Sequence, residues 1–250
     1  MDEIINKCLI LTSDIMSKFD SDPGHQMDHI HSVLNHINNA INCDKIFNLN
    51  SNQKLILKLA TIMHDVDDHK LTDTHENLDN ARFILNELKV NNEIKEKVLY
   101  IINLVSCSSN GNNNSMCEDT NNWWILWPRI ADRIEAIGYI GIYRAWVYAI
   151  KKGNPMHTID TPLPKTKKEL KEILLSSDRF IKYSGKSNTF IDHFYDKLLY
   201  IANLESPEVK SNEYLFSIAK KRHQIMIDFI IDYANNEDKD QIILKYTKEY

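Results

Sequence analysis

The stretch that decides the fold is Leu55-Ile56-Leu57-Lys58-Leu59-Ala60-Thr61-Ile62-Met63-His64-Asp65. On a 3.6-residue helix its apolar side chains point almost all the way round and leave hardly any polar face. A helix of that kind is stable only when surrounded, so it is expected at the centre of the core, with Ser51 as its cap. Two polar residues, His64 and Asp65, close it, and Asp67 and Asp68 follow at once. A carboxylate buried there without a partner is costly, and a cation or an arginine would offset that cost.

The flanks of this segment have helical spacing as well. Ile4, Ile5, Cys8, Leu9, Leu11 and Ile15 mark a first helix, and Ile30, Val33, Leu34, Ile37 and Ile41 a second. A further helix is expected from Thr74 through Ala81, Ile84 and Leu85, and another over Ile94, Val98, Ile101, Ile102 and Val105. The Asn-rich run Ser106 to Asn122 reads as an exposed loop. Trp123 to Ile150 reads as a return to helix, starting properly after Pro128, and Lys151 to Pro164 as a second loop. Helical stretches at roughly 188–204 and 208–234 complete the pattern. The 250 residues include only 6 Gly and 6 Pro, and none lies between Gly24 and Gly111. Sandwiches and barrels need turn residues every 8–12 positions or so, which excludes them. Neither GxGxxG nor GxxxxGK[ST] occurs, so dinucleotide-fold and P-loop phosphate cradles are excluded too. The expected architecture is all-α: a single domain over 1–250 with a core at about 25–150 and C-terminal helices at about 165–234.

The net charge is −5, and no basic run is long enough for a nucleic-acid tail, so duplex nucleic acid is not an expected partner. The most apolar stretch, Ala136 to Ile150, is interrupted by Arg144 and falls short of a membrane span. Met1-Asp2-Glu3-Ile4 lacks the apolar core of a signal peptide. Cys8, Cys43, Cys107 and Cys117 have no CxxC spacing and read as reduced thiols of a cytoplasmic protein.

Seven of the ten histidines fall between His25 and His75. His29 borders the apolar stripe of the second helix and should point inward, with a hydrogen-bonded core histidine as the competing reading. Ile130-Ala131-Asp132-Arg133-Ile134-Glu135-Ala136 places Asp132 among small and apolar residues, with Gly138 and Gly141 nearby. The competing reading there is an Asp132–Arg133 or Arg133–Glu135 charge pattern on a solvated face. Taken together, His29, His64, Asp65 and Asp132 form a set of two nitrogen and two oxygen ligands. Without thiolate, such a set suits Mn, Mg, Fe, Co or a catalytic Zn. Four protein ligands in an octahedral shell leave two positions for water and a phosphate oxygen.

The order H…HD…D resembles the HD superfamily of metal-dependent phosphohydrolases. Asp28-His29-Ile30-His31-Ser32-Val33 is similar to that family's DHxxRV helix, Ala60 to Asp65 to its HD element, and Ala131-Asp132-Arg133 to its ADR element. The likeness extends to the branch of small stand-alone bacterial-type enzymes. Ala131 through Arg144 resembles ADRLDAIGAIGIAR, and His193-Phe194-Tyr195-Asp196-Lys197-Leu198-Leu199 resembles HFYEKLL. Ala219, Arg222, His223, Met226 and Phe229 resemble AxxRHxxMxxF. The resemblance implies a helical HD-domain bundle with a C-terminal extension and one divalent metal ion, Mn or Mg favoured, on His29, His64, Asp65 and Asp132. It further implies release of phosphate or pyrophosphate from a nucleotide substrate. Hydrolysis of alarmones or cyclic nucleotides, and a nucleotide-binding regulator of weak activity, are the alternatives. Ser32 stands where the family has Arg, Ile130 where the branch has a second acid, and Trp123, Trp124 and Trp127 replace a more polar approach.

Further roles follow from position. Asp68, four residues after His64, is the candidate for orienting a water and accepting its proton, with Asp67 as the alternative. Lys70 and His25 are placed to reach a phosphate. Arg133 and Arg144, eleven residues apart on one helix, would stand about 16 Å apart and could not grip the same phosphate. His193, Lys197 and Arg222 are expected as substrate or structural contacts. A homodimer is left open.

Overall fold

The computed structural model describes residues 2–19, 27–68, 72–106 and 119–248. Among these there is no strand, and the chain is all-α as its periodicity implies. Contacts divide it into two compact units: Met1–Asp132 with Glu205–Phe216, and Arg133–Leu204 with Ser217–Tyr250.

In the first unit the helices are α1 (Asp2–Met16), α2 (Met27–Asn42), α3 (Ser51–Met63), α4 (Asp79–Glu87) and α5 (Asn92–Val105). A 3-10 turn (Thr120–Leu126) then leads into α6 (Trp127–Glu135), whose last turn, Arg133–Glu135, belongs to the second unit. α3 packs against α1, α2 and α5. Its Leu57, Leu59, Ala60, Ile62 and Met63 are fully buried, as a helix without a polar face requires. The cap is Asn50 rather than Ser51. Asn50 accepts from the backbone of Asn52 and Gln53 while the Gln53 side chain accepts from Asn50 N–H, a reciprocal box that Ser51 cannot form in this register. α4 starts at Asp79, not near Thr74, because Thr74 Oγ1 is engaged with Asp67 in the preceding turn. Beyond α12 (Pro207–Lys210), Asn212 Nδ2 donates to the Ala40 carbonyl at 3.0 Å and Tyr214 Oη lies 2.8 Å from His36 Nδ1, which joins 205–216 to α2.

The second unit holds α7 (Tyr139–Lys152), α8 (Lys167–Ser176), α9 (Arg179–Lys182) and α10 (Phe190–His193), which runs through a π turn (Phe194–Leu198) into α11 (Leu199–Ile201). The long α13 (Glu213–Asn235), from Ser217 onward, and α14 (Lys239–Thr247) complete it. Phe190, Phe194, Phe229 and Tyr246 form its aromatic core, with ring centroids 5.2–5.4 Å apart along the chain of contacts. Asp192 and Asp196 grip Arg179 at 2.7 and 2.6 Å.

The stretch expected as one helix from Trp123 is broken. α6 ends at Glu135 and α7 begins after Gly138, whose φ of +79° and ψ of −155° suit only glycine. A Cβ at Gly138 would also meet Cβ and Cγ of Arg222 at 3.0 Å, and one at Gly141 would strike the Ala136 carbonyl. Gly138→Ala is therefore expected to lower stability by about 1–3 kcal/mol, read as a thermal midpoint several degrees below wild type.

Stability should also depend on pH through the second unit. Burial, reinforced by the charge of Lys197, holds the His193 imidazole down to about 4. The unfolded chain takes up that proton near pH 6.5, so this contribution is whole above about pH 6.5 and is lost as pH falls toward 4, by up to about 3 kcal/mol. His193→Gln should flatten the denaturation midpoint between pH 6.5 and 4; equal slopes in the two proteins would contradict this.

Candidate metal centre

Three helices of the first unit bring the candidate ligands together. α2 contributes His29 from its first turn, the C-cap of α3 contributes His64 followed by Asp65, and α6 contributes Asp132. His29 Nε2 lies 3.1 Å from Asp132 Oδ1 and 3.8 Å from Asp65 Oδ2. His64 Nε2 lies 3.2 Å from Asp65 Oδ2 and 3.7 Å from Asp132 Oδ1. Atoms bound to one cation at about 2.1 Å are separated by about 3.0 Å when adjacent in an octahedron and about 3.4 Å in a tetrahedron. The observed spacings are close to such edges, and the donor atoms of His29, His64 and Asp132 all lie within 4.8 Å of one another.

Local structure sets the chemistry of these groups. His64 Nδ1 donates to the Thr61 carbonyl at 2.8 Å, which turns Nε2 toward the cluster, where a cation would take the place of its proton. That Nε2 is buried and makes no hydrogen bond of its own, the condition a ligand atom satisfies by coordination. Burial alone would depress the His64 pKa, but the charges of Asp65 and Asp132 outweigh it and hold it well above the ordinary range. Burial likewise would raise Asp132, yet the imidazoles of His29 and His64 drive it well below the usual carboxylate range. The cluster thus draws in positive charge, and the donor set fits a divalent cation.

The remaining predicted residues distribute differently. Asp67 is engaged by the protein's own donors. It is buried, its Oδ1 accepts from Asn80 N and the Thr74 hydroxyl, and its Oδ2 accepts from Ala81 N. These three bonds tie it to Thr74 and to the start of α4. Asp68 is half-buried in the turn after α3. His25 and Lys70 lie outside the described residues.

In the second unit, Arg222 donates to the Ile134 carbonyl at 2.8 Å and pairs with Glu135 at 2.7 Å, while Arg144 reaches the Glu135 carbonyl at 3.4 Å. Both arginines meet the C-terminal carbonyls of α6, where positive charge is favoured by the helix dipole. The helix break before α7 also cancels the 16 Å separation computed for Arg133 and Arg144 on one continuous helix. Arg133 is buried, and His193 sits with Ser187 Oγ 3.1 Å from its Nδ1 and near Lys197. Trp124 and Trp127 are core residues, with Trp127 edge-on to Phe47, and Ile130 is buried beside them in sequence. Sequence reasoning missed the Thr61 carbonyl, whose three-residue spacing from His64 was the only signal, and Asn80, whose role needs a partner thirteen residues away.

No family model matches the chain. It is 37% identical over 226 residues to the uncharacterized protein L803 of Acanthamoeba polyphaga mimivirus, spanning 84% of this chain and 88% of that one. Among solved structures it is similar to an HD-superfamily hydrolase from Bacillus thuringiensis, with 25% identity, a TM-score of 0.61 and coverage of 93% and 95% of the two chains. A protein from Lactobacillus plantarum gives 20% identity, a TM-score of 0.64 and coverage of 93% and 96%. YpgQ of Bacillus subtilis in complex with ADP gives 19%, 0.58, and 95% and 97%. With His29, His64-Asp65 and Asp132 gathered in one cluster on this fold, the chain belongs to the HD superfamily of metal-dependent hydrolases.

Proposed function

We propose that the protein is a phosphohydrolase that cleaves a phosphate ester or anhydride of a nucleotide, using one divalent cation, Mn or Mg, held by His29, His64, Asp65 and Asp132. The observation that carries this reading is the spacing of the four side chains, 3.1–3.8 Å between imidazole nitrogen and carboxylate oxygen, at a buried histidine nitrogen with no hydrogen bond of its own. The nucleotide is supported by the ADP complex of YpgQ, a chain of the same fold. When bound, such a cation polarises a phosphoryl oxygen and lowers the pKa of water toward neutrality.

The chain's own residues do the rest. Thr61 holds the His64 imidazole in a fixed orientation through Nδ1, and Asp65 and Asp132 supply the negative charge that retains the cation. Asp68 remains the group proposed to orient the attacking water and take its proton. No glycine-rich cradle occurs anywhere in the sequence, so phosphate is to be held by the cation and side chains.

Asp65→Ala is expected to abolish Mn binding and hydrolysis together, while circular dichroism stays that of wild type. Products would be followed over a panel of ribo- and deoxyribonucleotides. Full turnover with stoichiometric metal in that variant would overturn the ligand assignment. Chelation of the wild-type protein should stop turnover and added Mn or Mg should restore it. A metal-dependent thermal shift with nucleotide but no product would instead mark a regulator.

A further inference from the structure

From the geometry we infer that Asp67 is a positioning residue for the metal cage: it clamps the turn that carries Asp65 to the N-terminus of α4. The inference rests on the reading that Asp65 is a ligand. His64 is the last position fixed by α3, as its C-cap and through its Nδ1 bond to Thr61. Beyond it the chain makes two tight turns, Val66 N–H to the Met63 carbonyl at 3.2 Å and Asp68 N–H to the Asp65 carbonyl at 3.1 Å. Turns of this kind are weak by themselves and need an anchor on their far side.

Asp67 provides it. The residue at the N-cap of α4 is Leu78, in a left-handed conformation at φ 53°, and its side chain cannot accept a hydrogen bond. The amides of half-buried Asn80 and buried Ala81 would therefore lack a partner at the cap. Asp67 accepts both, at 3.1 and 2.9 Å, from eleven residues upstream of the cap position. Its charge is favoured there by the helix dipole. Asn80 completes the clamp by donating from Nδ2 to the Val66 carbonyl at 2.9 Å and to Thr74 Oγ1 at 3.1 Å. Asp65 is thus held between α3 on one side and α4 on the other. Freed from α4, its carboxylate would sample orientations in which it does not face His29 and His64.

The test compares Asp67→Ala, Asp67→Asn and Asn80→Ala with Asn50→Ala, which removes a cap at the opposite end of α3 and serves as the matched structural loss. In the metal-free protein, amide exchange at residues 64–68 should rise about tenfold or more in Asp67→Ala and Asn80→Ala and stay at wild-type rates in Asn50→Ala. Mn titration followed by electron paramagnetic resonance should show affinity reduced about tenfold or more in Asp67→Ala, less in Asp67→Asn, and unchanged in Asn50→Ala. Equal Mn affinity in wild type, Asp67→Ala and Asn80→Ala, or unchanged exchange at 64–68, would overturn the proposal. If Asp67→Ala fails to fold, Asn80→Ala decides by the same two readouts. Wild-type protein that takes up no Mn would refute the metal-site reading, and the exchange data would still decide whether Asp67 holds the turn.

Discussion

The first unit is arranged around one electrostatic demand: two carboxylates, Asp65 and Asp132, face two imidazoles at 3.1–3.8 Å in a largely buried position. Uncompensated, such a group of charges is among the most expensive things a core can contain. A proton on His64 relieves part of the cost, which is why its pKa rises and that of Asp132 falls. A divalent cation would satisfy all four groups at once. The requirement then passes outward. The ligands must come from rigid elements, so they sit on α2, on the end of α3 and on α6, and α3 must be central to reach both neighbours.

That demand explains how much could be read from sequence. An all-apolar helix ending in His64-Asp65 announces both its burial and its chemistry, because no other placement of those residues is affordable. Asp132 was legible for a related reason, since Ala131 and the apolar Ile130 and Ile134 mark the face on which a buried acid would lie. The cap of α3 is misplaced by one residue in sequence, at Ser51, although Gln53 three residues after Asn50 carries the signal of the box.

What stayed hidden was non-local or invisible to periodicity. Ile134, Ile137 and Ile142 keep a helical rhythm across Ala136 to Gly138, so the break between α6 and α7 leaves no trace in the apolar pattern. Only the φ of Gly138 exposes it. Arg144 and Arg222 look like phosphate ligands in isolation, yet both reach the carbonyl end of α6. Asp67 reads in sequence as the alternative to Asp68 because adjacency is all that sequence offers. Its hydrogen-bond partners Asn80 and Ala81 come into range only once the turn and α4 have formed. α14 lies beyond the stretch expected to be helical, and its buried Ile242, Ile243 and Tyr246 span too few residues to give a periodic signal.

The claim at the centre of this account is that His29, His64, Asp65 and Asp132 hold one ion in common. Anomalous diffraction at the manganese edge, from crystals grown with Mn, addresses it directly. The account predicts a single strong peak within about 2.0–2.3 Å of His29 Nε2, His64 Nε2 and a carboxylate oxygen each of Asp65 and Asp132. A peak elsewhere on the chain, or none at a concentration that saturates binding in solution, would contradict it.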